Sequence, residues 1–76
     1  MTVNLLAFAQ VRDQLGWSER AVECGPDDTP RTVFARVAPE LHVEMMRVAV
    51  DQEYFPWDEP IGARASEIAL IPPVSG

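Results

Sequence analysis

Residues 2–9, with the sequence TVNLLAFA, carry the pattern that decides the fold prediction. In an extended strand Val3, Leu5 and Ala7 share one side, whereas Leu6 and Phe8 share the other. A strand with one solvated face alternates apolar with polar residues. Because this strand is apolar on both sides near its end, we expect one face to line the core and the other to be covered by another protein.

Residues 67–71, with the sequence EIALI, repeat this two-sided pattern at the other end of the chain. Ile68 and Leu70 share one side of the predicted strand, and Ala69 and Ile71 share the other. We therefore predict that one sheet face near Phe8 and Ile71 stays uncovered within the domain.

The segments between these strands predict helices and further strands. Residues 10–16 favour a short helical turn that ends at a glycine, and residues 19–24 a strand antiparallel to the first. The main helix is expected to begin near Thr29 and Pro30 and to stop before Pro39. Alternating residues then predict strands at 47–51 and 53–55, joined by a tight turn.

The order of these elements predicts an α+β domain in which one main helix packs on one face of a mixed sheet of four to five strands. A chain of 76 residues has room for one domain, so we assign 1–76 to it. Residues 72–76 are expected to form an extended tail, because Pro72 and Pro73 donate no ladder hydrogen bonds.

Charge and cysteine content exclude several classes of function. Six basic residues, all of them Arg, face twelve acidic ones, and the net charge is −6. Such an acidic chain is poorly suited to nucleic acid or to an anionic membrane surface. Cys24 is alone, so no internal disulfide or thiolate metal cage is expected, and we assign the protein to the cytoplasm. Cys24 is expected to be a small core residue, and no metal site is predicted.

Three segments of the chain resemble the small subunit of molybdopterin synthase, the MoaD family. The first is residues 6–16 (LAFAQVRDQLG) and the last is residues 68–76 (IALIPPVSG). Residues 48–52 (VAVDQ) lie where that family has its central hairpin. The resemblance covers both ends and the middle of the chain, in the same order.

The resemblance implies a ubiquitin-like β-grasp fold and a sulfur-carrier activity. In this family an E1-like activating enzyme adenylates the C-terminal glycine, and sulfur then replaces AMP to give a thiocarboxylate. The large subunit takes that sulfur for cyclic pyranopterin monophosphate and forms the dithiolene of molybdopterin, in a complex expected to be a heterotetramer. The carrier therefore acts as one subunit of a sulfurtransferase and binds no cofactor itself, since the activating partner uses the ATP.

The same resemblance assigns roles to individual positions. Gly76 carries the carboxylate that becomes activated. Phe8 and Ile71 belong to an apolar partner-binding surface. Arg12 is a candidate contact to the activating enzyme. The remaining tail positions, which separate Gly76 from the last strand, are Pro72, Pro73, Val74 and Ser75.

The C-terminus departs from the family, which ends in Gly-Gly where this sequence has Ser75-Gly76. Three explanations stay open: a further glycine follows Gly76, this member uses Ser-Gly, or it has lost carrier activity. Two other functions also stay open. One is a sulfur carrier for another pathway such as thiamine biosynthesis, and the other is a non-catalytic ubiquitin-like binding module with an inert tail.

Overall fold

The computed structural model describes residues 1–73, so the predicted reactive terminus, Val74, Ser75 and Gly76, lies outside the described residues. Within 1–73 the chain forms five strands and two helices. In chain order these are β1 Thr2–Ala7, α1 Ala9–Leu15, β2 Glu19–Glu23, α2 Pro30–Val37, β3 Arg47–Val50, β4 Glu53–Phe55 and β5 Glu67–Ile71. The predicted α+β class is confirmed, with a short α1 beside the main helix α2.

The strands form one mixed sheet in the order β2-β1-β5-β3-β4. β1 and β5 are parallel, with Ala7 beside Leu70, and the other neighbouring strands are antiparallel. Since β1 and β5 run the same way, β5 ends beside the point where β1 passes into α1. The N-terminus and β5's exit to the tail therefore lie at opposite ends of the sheet.

The core lies between one sheet face and α2. Val3, Leu5 and Ala7 of β1 are at most 1% exposed, and Ile68 and Leu70 of β5 are fully buried. From α2, Val33 and Phe34 pack into the same core. The two-sided apolar pattern in the sequence thus identified the core face correctly.

Local sequence sets both ends of α2. The hydroxyl of Thr29 accepts a hydrogen bond from the backbone N–H of Thr32 at 3.1 Å, and the Thr29 N–H donates to the Thr32 hydroxyl at 2.9 Å. This reciprocal cap, with Pro30 in the first turn, satisfies free N–H groups at the start of the helix. Ala38 ends the helix directly before Pro39, as predicted.

Asp28 ties the loop before α2 to the helix. Its carboxylate accepts from the Arg36 guanidinium at 2.9 and 3.0 Å, from the Gly25 N–H at 2.9 Å and from the Thr32 hydroxyl at 3.0 Å. The Arg36 hydrogen bonds, followed by the one from Gly25, hold the Asp28 pKa well below its ordinary value of 3.8.

We expect Asp28→Asn to lower the free energy of unfolding by about 1–2 kcal/mol at neutral pH, because the amide weakens the Arg36 pair and the Gly25 bond. The folded pKa of Asp28 lies below its unfolded value, so its contribution is complete above about pH 4 and is lost as the pH falls toward the folded pKa. Urea unfolding of both chains across this range checks the prediction. A deficit in Asp28→Asn that is unchanged at low pH would contradict it.

A two-residue turn joins β3 to β4. Asp51 and Gln52 have φ angles of 50° and 71°, the left-handed region that a type I′ hairpin turn requires at both positions. The Asp51 carboxylate accepts from the Ser66 hydroxyl at 2.7 Å and from the Glu67 N–H at 3.0 Å. The Ser66 hydrogen bond lowers the Asp51 pKa. Asp51 therefore anchors the turn to the start of β5, while Gln52 bears left-handed strain.

Gln52→Gly is expected to raise the free energy of unfolding by about 0.5–1 kcal/mol, because glycine adopts positive φ without a Cβ clash. Gln52→Ala, which also removes the amide but keeps Cβ, is the control and should give no gain. Thermal unfolding of the three chains provides the comparison. Equal gains from both substitutions would show that the Gln52 side chain, and not its backbone, carries the strain.

Cys24 is 9% exposed and packs with the core, as predicted for it. Burial, with the nearby Asp28 charge as a smaller cause, raises the pKa of its thiol. Among residues 1–73, no group of three His, Cys, Asp or Glu side chains is placed to hold a metal ion. No helix in that part of the chain is long and apolar enough to cross a membrane.

Candidate docking face and the root of the C-terminal tail

The sheet face opposite α2 carries an apolar surface that no element of residues 1–73 covers. Strand pairing brings together on this face side chains from β1, β3, β4 and β5, and that of the residue that follows β1. A shallow groove of about 380 Å³ runs along it. We call this surface the open face and define its apolar members as Leu6, Phe8, Ala49, Tyr54, Ala69 and Ile71.

Phe8 lies where β1 passes into α1. Its side chain is 47% exposed although it is large and apolar. Phe8 occupies the N-cap position of α1 and makes no side-chain cap hydrogen bond, whereas Asp, Asn, Ser or Thr at that position would make one. The next residue, Ala9, has a φ of 51°, a left-handed geometry that costs an alanine roughly 1–2 kcal/mol. The missing cap hydrogen bond at Phe8 and the left-handed backbone of Ala9 therefore both lower the stability of the fold at this corner. Such locally unfavourable geometry is common at functional sites.

Ile71 lies on the open face and is also the last residue of β5, where the predicted tail begins. We call this point the root of the tail. Ile71 and Pro72 are partly buried, and Pro73 is exposed. They border a second groove of about 440 Å³, whose other walls are Met45, Arg47 and Tyr54. Because Tyr54 and Ile71 line both grooves, the apolar surface continues without a break from Phe8 to the start of the tail.

Two large apolar side chains beside the tail root are strongly exposed. Met45 is 77% exposed and Tyr54 is 68% exposed. The Arg47 guanidinium lies 5.4 Å from the centre of the Tyr54 ring, a cation–π distance that holds both side chains in place. Exposed aromatic, methionine and arginine side chains are enriched where proteins bind one another.

Acidic side chains border the open face. Glu19 pairs with Leu6 across β1 and β2, so the two side chains lie on the same face of the sheet. Glu67 lines the groove beside Ala69. A partner that covers this face is therefore expected to have an apolar centre and a basic rim.

Of the three predicted partner-binding residues, the structure brings two together. Phe8 and Ile71 both line the open face, as predicted from their positions in the two terminal motifs. Arg12 does not line this groove. Its exposed side chain lies 3.7 Å from Asp13 and borders a separate shallow groove with Trp17 and Ser18.

Sequence reasoning missed Tyr54, Arg47 and Met45 as members of this surface. The register supplies the signal for Tyr54: a two-residue turn at 51–52 places it opposite the outward-facing Ala49. Arg47 precedes Ala49 by two residues, so it lies on the same face. Met45 lies in the loop before β3, where hydrophobic periodicity gives no prediction of which side chains are exposed.

Comparison with known proteins gives the chain a family. Residues 5–76 match the ThiS family. A molybdopterin synthase sulfur carrier subunit from Dictyostelium discoideum is 29% identical over 82 residues, covering 96% of this chain and 93% of that protein.

Two solved structures share the fold. Molybdopterin converting factor subunit 1 from Pyrococcus furiosus has a TM-score of 0.75 and 20% identity, covering 97% of this chain and 99% of that one. Small archaeal modifier protein 1 from Haloferax volcanii has a TM-score of 0.76 and 22% identity, covering 96% and 98%. The architecture is the ubiquitin-like β-grasp, which confirms the fold prediction.

The family match extends from β1 through the last residue, and it includes the strands that carry the open face and residues 72–76, the predicted tail. The chain therefore belongs to the ThiS family and is a ubiquitin-like sulfur carrier of the ThiS and MoaD type.

Proposed function

We propose that this protein is the sulfur-carrying small subunit of a cytoplasmic molybdopterin synthase. The observation that carries the proposal is the continuity of the open face with the root of the tail at Ile71 and Pro72. A partner that docks on this face receives the tail at a fixed place and in a fixed direction. The similarity to a molybdopterin synthase sulfur carrier subunit favours this pathway over others.

The chemistry proceeds at the terminal carboxylate of Gly76. A carboxylate is a poor electrophile, so an adenylating enzyme first joins it to AMP in a mixed anhydride. Sulfur then displaces AMP and leaves a C-terminal thiocarboxylate, which is a soft nucleophile on a main-chain arm. Gly76 has no side chain to obstruct either active site. ATP is bound by the activating enzyme, and the carrier needs no cofactor of its own.

The sulfur acceptor is cyclic pyranopterin monophosphate held by the large subunit. Two transfers from two charged carriers complete the dithiolene. By resemblance to the MoaD family, the complex is expected to be a heterotetramer with two small subunits. In this complex Phe8, Ile71 and Tyr54 fill apolar pockets of the large subunit. The acidic border around Glu19 and Glu67 faces basic residues of the partner.

The activating enzyme uses the same tail at an earlier step. Since one tail serves two enzymes, the two partners compete for the open face and bind it in turn. Arg12, outside the open face, is available for a polar contact that only the activating enzyme makes.

Reconstitution with two alternative acceptors tests the pathway. The charged chain is mixed either with a molybdopterin synthase large subunit and cyclic pyranopterin monophosphate, or with the thiazole-forming enzyme of thiamine biosynthesis and its substrates. We expect molybdopterin in the first mixture and no thiazole product in the second. Thiazole formation alone would assign the carrier to the thiamine pathway. Failure of both mixtures with a correctly charged chain would contradict both pathways, and failure of the activating enzyme to charge the chain would favour a binding module with an inert tail.

A further inference from the structure

An activated C-terminus threatens the protein that carries it, because an acyl adenylate or thioester reacts with any accessible amine or thiol. An amine nitrogen attacks the terminal carbonyl carbon and a C–N bond forms. The C–O bond to AMP, or the C–S bond of a thioester, then breaks, and the amine proton passes to solvent. Whether this chain undergoes that side reaction depends on which amines and thiols it contains and on how far they lie from its C-terminus.

The chain has no side-chain amine. All six of its basic residues are Arg, and an arginine guanidinium stays protonated and does not act as a nucleophile. The two remaining strong nucleophiles are the N-terminal amine and the Cys24 thiol.

Both groups lie at the end of the sheet that is far from the tail. The Met1 amine donates a hydrogen bond to the Cys24 carbonyl at 2.9 Å and lies 3.8 Å from the Glu23 carboxylate. The Cys24 thiol is buried in the core beside it. β1 is parallel to β5, so this pair lies at the start of both strands, whereas the tail leaves from the end of β5.

The reach of the tail is too short to close this gap. Ile71 lies level with Phe8, seven residues along the sheet from Met1, a separation of about 23 Å in an extended strand. From Ile71 to Gly76 there are five residues, which span at most about 18 Å when fully extended. One additional glycine would bring this to about 22 Å, still short of the amine.

Oxygen and imidazole groups do not change this result. Hydroxyls are weak nucleophiles without an adjacent base. Of the three within residues 1–73 that donate to carboxylates, those of Thr2 and Ser66 lie at the Met1 end, and that of Thr32 lies in the first turn of α2 and donates to Asp28. His42 is exposed, but an acyl-imidazole hydrolyses and returns the carboxylate.

We propose that this carrier is built to be inert toward its own activated C-terminus, so that the acyl group passes only to a nucleophile supplied by a partner. The inference rests on the proposed activation of Gly76. It also implies that copies of this chain are not linked to one another through side-chain amides, whatever sulfur or amine nucleophile a partner presents.

The test installs the activated group chemically, on the full-length chain, as a C-terminal thioester with 2-mercaptoethanesulfonate. The folded protein is incubated in buffer at about pH 8. Intact mass distinguishes the hydrolysed acid from an internal amide, which is lighter by one water, and from a covalent dimer. We expect only hydrolysis in buffer, and complete capture when free cysteine is added. In guanidinium chloride, where the fold no longer separates the two ends, the head-to-tail amide should form.

Two matched substitutions test the dependence on position. Arg47 borders the groove at the tail root, and Arg64 precedes β5 at the Met1 end; both are exposed. Arg47→Lys should form an internal amide at least tenfold faster than the unaltered chain, whereas Arg64→Lys should not. Amide formation by the folded, unaltered chain, or equal rates for the two lysine variants, would overturn the proposal. Because no activating enzyme takes part in this test, its result can be interpreted even if the proposed molybdopterin pathway is wrong.

Discussion

A Phe8→Asp chain is expected to bind the large subunit of molybdopterin synthase at least about a hundredfold more weakly, while its fold stays intact. The change removes an apolar side chain worth roughly 1.5–3 kcal/mol when buried, and it places a charged carboxylate at an apolar contact. Each 1.4 kcal/mol corresponds to about tenfold in affinity. Binding is measured by isothermal calorimetry with the isolated large subunit.

Phe8 allows an unusually clean separation of docking from folding. It is the N-cap residue of α1 and makes no cap hydrogen bond, and an aspartate at this position is among the best helix caps. Phe8→Asp should therefore unfold at the same urea concentration as the unaltered chain or at a higher one. A binding loss accompanied by a large loss of stability would contradict the assignment of Phe8 to docking.

Ala35→Asp provides the matched control. Ala35 is exposed on α2, on the other side of the core from the open face, and its substitution adds the same charge. It should change the affinity for the large subunit by less than about threefold, as expected for a substitution outside the contact. Equal losses from both variants would attribute the effect to net charge and not to the open face.

Removal of Gly76 is expected to lower sulfur transfer by at least about a thousandfold. The chain then ends at Ser75, its reacting carboxylate is about 3.5 Å short, and a side chain adjoins the reacting carbonyl. A misplacement of only about 1 Å is enough to cost roughly a hundredfold in rate. Sulfur transfer is followed as molybdopterin formed from cyclic pyranopterin monophosphate.

The truncated chain should still dock normally, because Phe8, Tyr54 and Ile71 are unchanged. Its dissociation constant for the large subunit is expected to stay within about threefold, which corresponds to roughly 0.65 kcal/mol. Val74→Ala keeps the length of the tail and should retain most of the transfer. Full transfer by the chain that ends at Ser75 would instead support a binding module whose tail is inert.

The sequence predicted the core because apolar periodicity reports burial directly. Val3, Leu5 and Ala7 on one side of β1, with Ile68 and Leu70 on β5, were assigned inward and are buried. The ends of α2 were also predictable, since Thr29, Pro30 and Pro39 act through short-range backbone geometry.

The full open face was not predictable from periodicity alone. Tyr54 enters it only once the turn at Asp51 and Gln52 fixes the register of β4 against β3. Both turn residues have positive φ without being glycine, so the sequence carried no strong signal for that turn type. Met45 lies in a loop, where no period applies, and its place beside Pro72 and Pro73 depends on tertiary packing.

The separation of Arg12 from the open face has a similar cause. Phe8 and Arg12 are close in one sequence motif, yet Phe8 is the cap of α1 and Arg12 lies one turn along it. Phe8 keeps the extended backbone of β1, with φ −124° and ψ 154°, so its side chain follows the strand and not the helix, and a motif that is continuous in sequence serves two separate surfaces.

The most direct test of the sulfur-carrier proposal is the intact mass of the chain purified from its own cells, with fragmentation of its C-terminus. We predict a fraction that is heavier by the difference between sulfur and oxygen, with the added mass on the terminal glycine. Treatment with an activating enzyme, ATP and a sulfur donor should increase that fraction. An ordinary carboxylate on Gly76 under all of these conditions would contradict the account.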